Sequence, residues 1–233
     1  MTFTETVWDG RELDWVDPCK YNNCCREFLR GVGKRYLLHP VFEAAFEKLL
    51  NSYRPKKHYT LLLIIPCSYG KPYSQSYIHY FIQQAIWKAN AYDDVHQLIV
   101  TNAGVVPREL EEYWPWCAYD WNPKYETEDV KRKYTTVLAY RLEAYIKRFS
   151  NYYSGYAAYL RWDSDSWEAV KKVAKKLNLK IPNLAPKTVP REELAKVSLG
   201  GIYEDPDLVL ITPTALKKFQ DALKELLKEL KRS

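Results

Sequence analysis

Stretches with apolar residues every three or four positions alternate along this chain with short unbroken apolar runs, a pattern that predicts helices between buried strands. In residues 39–53, Val41, Phe42, Ala45, Phe46, Leu49 and Leu50 form one helical stripe, and Pro55 closes it by disfavouring helix just before itself. Residues 59–65 predict a buried strand. Residues 74–91 return to the helical rhythm through Ile78, Phe81, Ile82, Ala85, Ile86 and Ala89, and residues 95–101 form the next strand. A long Pro- and Trp-rich loop then runs to about residue 125, a length more often functional than idle.

The second half repeats the scheme. Residues 127–149 carry a long helical stripe, from Val130 and Tyr134 to Tyr145 and Ile146. Residues 155–162 predict a third strand, with Asp163 as N-cap of a helix over 167–177. Residues 180–184 and 208–211 predict two further short strands, and Thr212 or Thr214 starts a last helix striped by Leu216, Phe219, Leu223, Leu226, Leu227 and Leu230. Alternating strands and helices predict an α/β fold: a mostly parallel sheet with helices on both faces, a Rossmann-like three-layer sandwich. The expected organisation is an irregular N-terminal extension over 1–38 and a single α/β catalytic domain over 39–233.

Composition narrows the partners rather than the fold. At 233 residues and 47% hydrophobic, the chain can bury a sizeable core. No apolar run reaches the roughly 20 residues of a membrane helix, and the N-terminus lacks the basic start and apolar block of a secretory signal. Those features set the expectation of a cytoplasmic protein. Thirty-five basic against 29 acidic residues give a net charge of +6, which permits a polyanionic partner without requiring one. Basic runs lie at 54–57, 131–133 and 171–176, each more ordinarily a solvated face than a nucleic-acid track. The cysteines at 19, 24, 25, 67 and 117 follow no disulfide-framework or zinc spacing, so free thiols and no metal site are expected. No glycine-rich phosphate loop is present.

The richest chemistry lies in residues 66–79, PCSYGKPYSQSYIH, where a strand hands over to a helix. Ligands in open α/β sheets collect outside the carboxyl ends of strands. Cys67 follows the strand directly, and both the helix N-terminus and Lys71 are expected to favour its thiolate. His79, one turn beyond Ser76, is the expected proton carrier, and Pro72 suits a first helical turn. Singly, a strand-end cysteine is usually a small buried hydrophobe and a helix histidine a structural one; the clustering is what favours chemistry.

The same stretch resembles the signature P-C-x3-K-P-Y-x2-S-x2-H of the archaeosine synthase family, matched at Pro66, Cys67, Lys71, Pro72, Tyr73, Ser76 and His79. The segment after the second strand resembles that family's G-x-V-P-x-E-L-E, here Gly104, Val106, Pro107, Glu109, Leu110 and Glu111, followed by Tyr119 and Asp120. The resemblance spans about residues 36–180 and implies a free-standing core domain, without the transglycosylase-like and RNA-binding domains of full-length members. It further implies a tRNA-modifying enzyme that converts the nitrile of 7-cyano-7-deazaguanine toward an amidine. Lysine is the implied co-substrate, and no cofactor is implied in this chain. The implied partners are tRNA, brought by a separate transglycosylase-like or RNA-binding subunit, and a radical S-adenosylmethionine enzyme, with no membrane. Under this resemblance Cys67, His79 and Lys71 are catalytic, while Tyr73, Ser76, Pro72, Glu109, Glu111 and Asp120 hold the substrate. The competing readings are a module that binds a modified base without turnover and a related enzyme acting on a free base or DNA.

Overall fold

Six strands and seven helices follow one another in the computed structural model, which describes residues 29–201 and 204–232. They run β1 (Leu29–Arg30), α1 (Lys34–Leu37), α2 (Pro40–Ser52), β2 (Tyr59–Pro66), α3 (Tyr77–Lys88), β3 (Val95–Thr101), β4 (Gly104–Pro107), β5 (Tyr119–Asp120), α4 (Glu128–Phe149), β6 (Tyr153–Ala158), α5 (Asp165–Leu177), α6 (Arg191–Val197) and α7 (Pro213–Leu230). The main sheet has the order β4-β3-β2-β6, with β2 parallel to both β3 and β6 and β4 antiparallel at the edge. The expected α/β sandwich with a mostly parallel sheet is therefore present, β4 being its antiparallel edge strand. Gly104 makes the β3–β4 reversal possible: its φ of +124° suits glycine, and an added Cβ would meet the Arg141 side chain at 3.2 Å.

Every residue of β2 from Leu61 to Pro66 is buried, as is all of β3, because helices cover both faces. α3 and α7 pack together on one side, and α4 packs with α5 and α2 on the other. The helix starts follow local chemistry. Thr127, Ser164 and Thr212 each turn a side-chain oxygen to the amide three residues on, capping α4, α5 and α7. Ser164 thus replaces the expected Asp163, whose carboxylate instead accepts from Arg161 at 2.7 Å.

Three expected elements differ. Residues 180–184 contribute one bridge, Asn183 to Ala158, because Pro182 has no N–H to extend the ladder. Residues 208–211 belong to a 3₁₀ turn over Pro206–Ile211, started by Pro206 and by the Asp205 carboxylate accepting from the Asp207 amide at 2.8 Å. Short apolar runs do not distinguish strand from buried turn by periodicity. The long loop carries β4 and β5, and β5 pairs in parallel with β1. Of the expected N-terminal extension, the described end contributes Leu29 and Leu37 to the buried interior. Cys19, Cys24 and Cys25 lie outside the described residues. Cys67 is a free thiol, whereas Cys117 is disulfide-bonded, contrary to the free-thiol expectation for it. Among the described residues no helix is long and apolar enough to cross a membrane.

Candidate functional site

The order of the main sheet places a topological switch point between β2 and β6. From β2 the chain crosses through α3 to β3 on one side, while β6 lies on the other. Adjacent parallel strands with connections leaving in opposite directions open a crevice beyond their carboxyl ends. Counting three residues on from the Ile64–Ala158 pair sets Cys67 level with Arg161 there.

After Pro66 the loop to α3 is held by its own short contacts. The Ser68 hydroxyl donates to the Gly70 carbonyl at 3.2 Å, and Lys71 Nζ donates to the Tyr69 carbonyl at 3.3 Å. Pro72 follows a cis peptide bond, and a 3₁₀ turn over Tyr73–Gln75 precedes α3. The expected helix over 74–91 is thus divided, and Pro72 stands before the turn. Ser76 is the N-cap of α3, its Oγ accepting from the His79 amide at 3.3 Å. That bond gives Ser76, expected to hold substrate, a structural task at the start of α3. Tyr73 is fully buried, and its hydroxyl meets that of Tyr119 at 2.7 Å.

Cys67 is half-buried between this loop and the 3₁₀ turn over Pro206–Ile211. Burial pushes its thiol up to about 12, against the pull of Lys71 and with the carboxylates of Asp207 and Asp205 adding to the rise. The expected thiolate is therefore not the resting form. Burial also lowers Lys71, whose Nζ lies 4.2 Å above the Tyr119 ring and 5.7 Å from that of Tyr73. Both shifts favour a neutral thiol beside a lysine inclined to lose its proton. Alkylation of Cys67, followed peptide by peptide, should quicken about tenfold per pH unit through pH 8–10 without levelling, because only the thiolate reacts. Lys71→Met should slow it most at the lower pH values, where the lysine carries the charge that is the largest pull on the thiol. A plateau near pH 8 would contradict this assignment.

His79 is fully buried and engaged at both ring nitrogens. Nε2 lies 2.9 Å from the Pro66 carbonyl, and Nδ1 lies 2.6 Å from an Arg108 guanidinium nitrogen. The carbonyl needs a donor and the guanidinium an acceptor, which fixes the neutral tautomer protonated at Nε2. Burial and the Arg108 charge lower this imidazole well below its ordinary range. The expected proton carrier is instead a brace between α3 and the end of β2. Arg108 continues the brace: it donates to Gln97 on β3 at 2.8 and 3.1 Å and to Glu111 at 2.6 Å. Glu111, also buried, accepts from the Ser74 amide at 3.1 Å. Glu111 therefore supports the loop from behind.

Glu109 stands elsewhere. It accepts from the Tyr53 hydroxyl at 2.5 Å and pairs with His96 at 3.0 Å, near the amino end of β3. His96 is level with Leu62, five residues before Cys67, or about 16 Å along the strands. Burial alone would raise the Glu109 carboxyl, but bonds from His96 and Tyr53 outweigh it and hold it at about 2. Glu109 does not share the crevice with Cys67. Asp120 does lie close enough to Lys71 to favour its charge.

Beyond β6 lies a cavity of about 510 Å³, which Arg161 helps to line. Its walls are Trp162, Pro186 and Pro206, its floor Val209 and Leu210, and its polar edge Arg161, Asp163 and Lys187. Trp162 is fixed by donating Nε1–H to the Ala185 carbonyl at 2.8 Å, and Lys187 Nζ lies 5.2 Å from its ring. Arg161 donates to Asp207 at 2.7 Å, and burial pushes the Asp207 carboxyl up to about 6 against that pull. Read as sequence, Arg161 and Trp162 fall in the strand expected over 155–162, Asp163 at the expected helix cap, and Val209 and Leu210 in the strand expected over 208–211; none is marked there as a site residue.

A family described as a domain of unknown function, DUF5591, matches residues 44–195. Archaeosine synthase subunit alpha of Thermococcus kodakarensis is 34% identical over 118 residues, 49% of this chain and 20% of that protein. The protein of that name from Methanosarcina acetivorans is 27% identical over 166 residues, 71% of this chain and 24% of its own length. The protein of that name from Thermoplasma acidophilum is 43% identical over 61 residues, 26% of this chain and 12% of its own. The chain thus spans a quarter or less of the length of each of these relatives. The crystal structure of AF0587, a protein of unknown function, shares the fold with a TM-score of 0.50 at 17% identity, covering 77% of this chain and 49% of that one.

Proposed function

From the premise that the chain belongs to the DUF5591 family, whose archaeosine synthase-like members include the relatives above, we propose that it is the core of a tRNA-modifying enzyme. Its substrate is a 7-deazaguanine nitrile in tRNA, and the reaction converts that nitrile toward the amidine of archaeosine. The observation that carries this reading is the free Cys67 thiol beside Lys71 at the carboxyl end of β2, level with Arg161, which lines a purine-sized cavity. Pockets of about 300–1,000 Å³ suit ligands of that size.

In this reading the ring lies against Trp162 with its nitrile toward Cys67. Lys71 takes the thiol proton as sulfur adds to the nitrile carbon. One C–N π bond breaks, an S–C bond forms, and the proton passes from Lys71 to nitrogen, giving a thioimidate. A lysine amine then adds to the same carbon and the sulfur leaves, restoring the thiol and yielding a substituted amidine. His79, Arg108 and Glu111 hold the loop that carries Lys71. Release of the amidine falls to a partner, for which the radical S-adenosylmethionine enzyme implied by the resemblance is our proposal. Domains 39–233 and a separate RNA-delivering subunit remain part of the same proposal.

Incubating the chain with lysine and tRNA bearing the cyano base, then weighing the nucleosides, tests it. A nucleoside heavier by one lysine is expected. An unchanged tRNA nucleoside alongside a modified free base would contradict tRNA as the substrate.

A further inference from the structure

The exposed side of α3 carries a row of aromatics, of which Tyr77 and Tyr80 rest edge-on against Phe81 while keeping much of their area in solvent. Tyr77, Tyr80 and Trp87 are 41%, 53% and 71% exposed, at spacings of three and seven that keep them on one helical face. Large aromatics normally bury most of their area, so a solvent-facing row of them marks a contact surface. α7 packs beside α3. Where the two helices end together, a groove of about 370 Å³ is lined by Lys224, Lys228, Lys231 and Arg232, with Asp94 the one acidic wall. Lys231 donates to that carboxylate at 2.6 Å, and Lys224, Lys228 and Arg232 are exposed. Lys224 and Lys228 are one turn apart, while Glu225 and Glu229 fall on the adjoining stripe of α7.

A basic groove continuing a row of exposed rings suits one class of partner, a nucleic-acid strand. Phosphates meet the cations, and unpaired bases stack on the rings. The row has a direction as well. It begins at Tyr77, one residue past the Ser76 cap and beside the Cys67 loop, and descends α3 for about 18 Å to the basic groove. We infer that the α3–α7 face is the track along which the chain grips the RNA strand flanking the base presented to Cys67. This rests on the tRNA reading above and assigns the docking surface which that reading lacks.

Binding of tRNA, followed by fluorescence anisotropy over a range of salt, tests the track without any chemistry. Lys224→Glu with Lys228→Glu should weaken binding at least tenfold and flatten the salt dependence by about one unit of log–log slope per lysine. Trp87→Ala should weaken it about fivefold or more and leave that slope unchanged. The pH profile of Cys67 alkylation should stay that of the unaltered protein in all these variants, showing that the fold is intact. Affinities within twofold of the parent in both variants would overturn the inference, as would weakening only when the basic run 131–133 of α4 is reversed. Failure of the parent chain to bind tRNA at all would overturn it as well. If the variants lose tRNA as expected but the parent never alters the nucleoside mass, the track stands and the proposed chemistry falls.

Discussion

Replacing Cys67 by alanine should abolish conversion of the cyano base, lowering turnover on the order of 10³-fold or more, as loss of a covalent nucleophile does. Serine should rescue little of it. A hydroxyl is a far weaker nucleophile, and Lys71 is poorly matched to ionise one. Binding of tRNA should be unchanged in Cys67→Ala, because the cysteine lies off the α3–α7 face. Turnover within tenfold of the parent in either variant would exclude a sulfur-bound intermediate.

Arg108→Met should cost about 3–5 kcal/mol of folding stability, the usual result of removing one partner from a buried ion pair. The guanidinium serves three acceptors at once: Gln97 on β3, His79 on α3, and the Glu111 carboxylate. Deleting it strands a buried carboxylate whose remaining bonds run to the Ser74 amide. For a chain of this size that loss lowers Tm by about 10 °C, and urea unfolding measures it directly. Combining Arg108→Met with Glu111→Gln should recover part of the loss, since no charge is then left buried without its mate. A loss below about 1 kcal/mol in the single variant would mean that the brace is not structural.

How much of this was legible beforehand depended on range. Strands β2 and β3 and the α2 and α4 stripes were readable because burial on both faces, or along one, writes a local period. The run 208–211 was not, since its strand-like apolar residues fill a 3₁₀ turn started by Pro206. Among site residues, Cys67 and Lys71 were legible as neighbours in sequence. The true partners of His79 were not: Arg108 lies 29 residues away and meets it only through the β3–β4 reversal. That reversal also carries Glu109 away from the crevice, although it stands two residues from Glu111. Arg161, Trp162 and Asp207 come together only when β6 takes its place beside β2.

A covalent bond to the Cys67 sulfur is the step on which the proposed chemistry turns. The chain would be incubated with RNA bearing the cyano base, without lysine, and the intact complex and its peptides weighed. The predicted result is a species whose mass is the sum of the two, with the addition mapped to Cys67, discharged on supplying lysine and absent from Cys67→Ala. Turnover by the parent with no such species, or with the addition mapped to another residue, would contradict it.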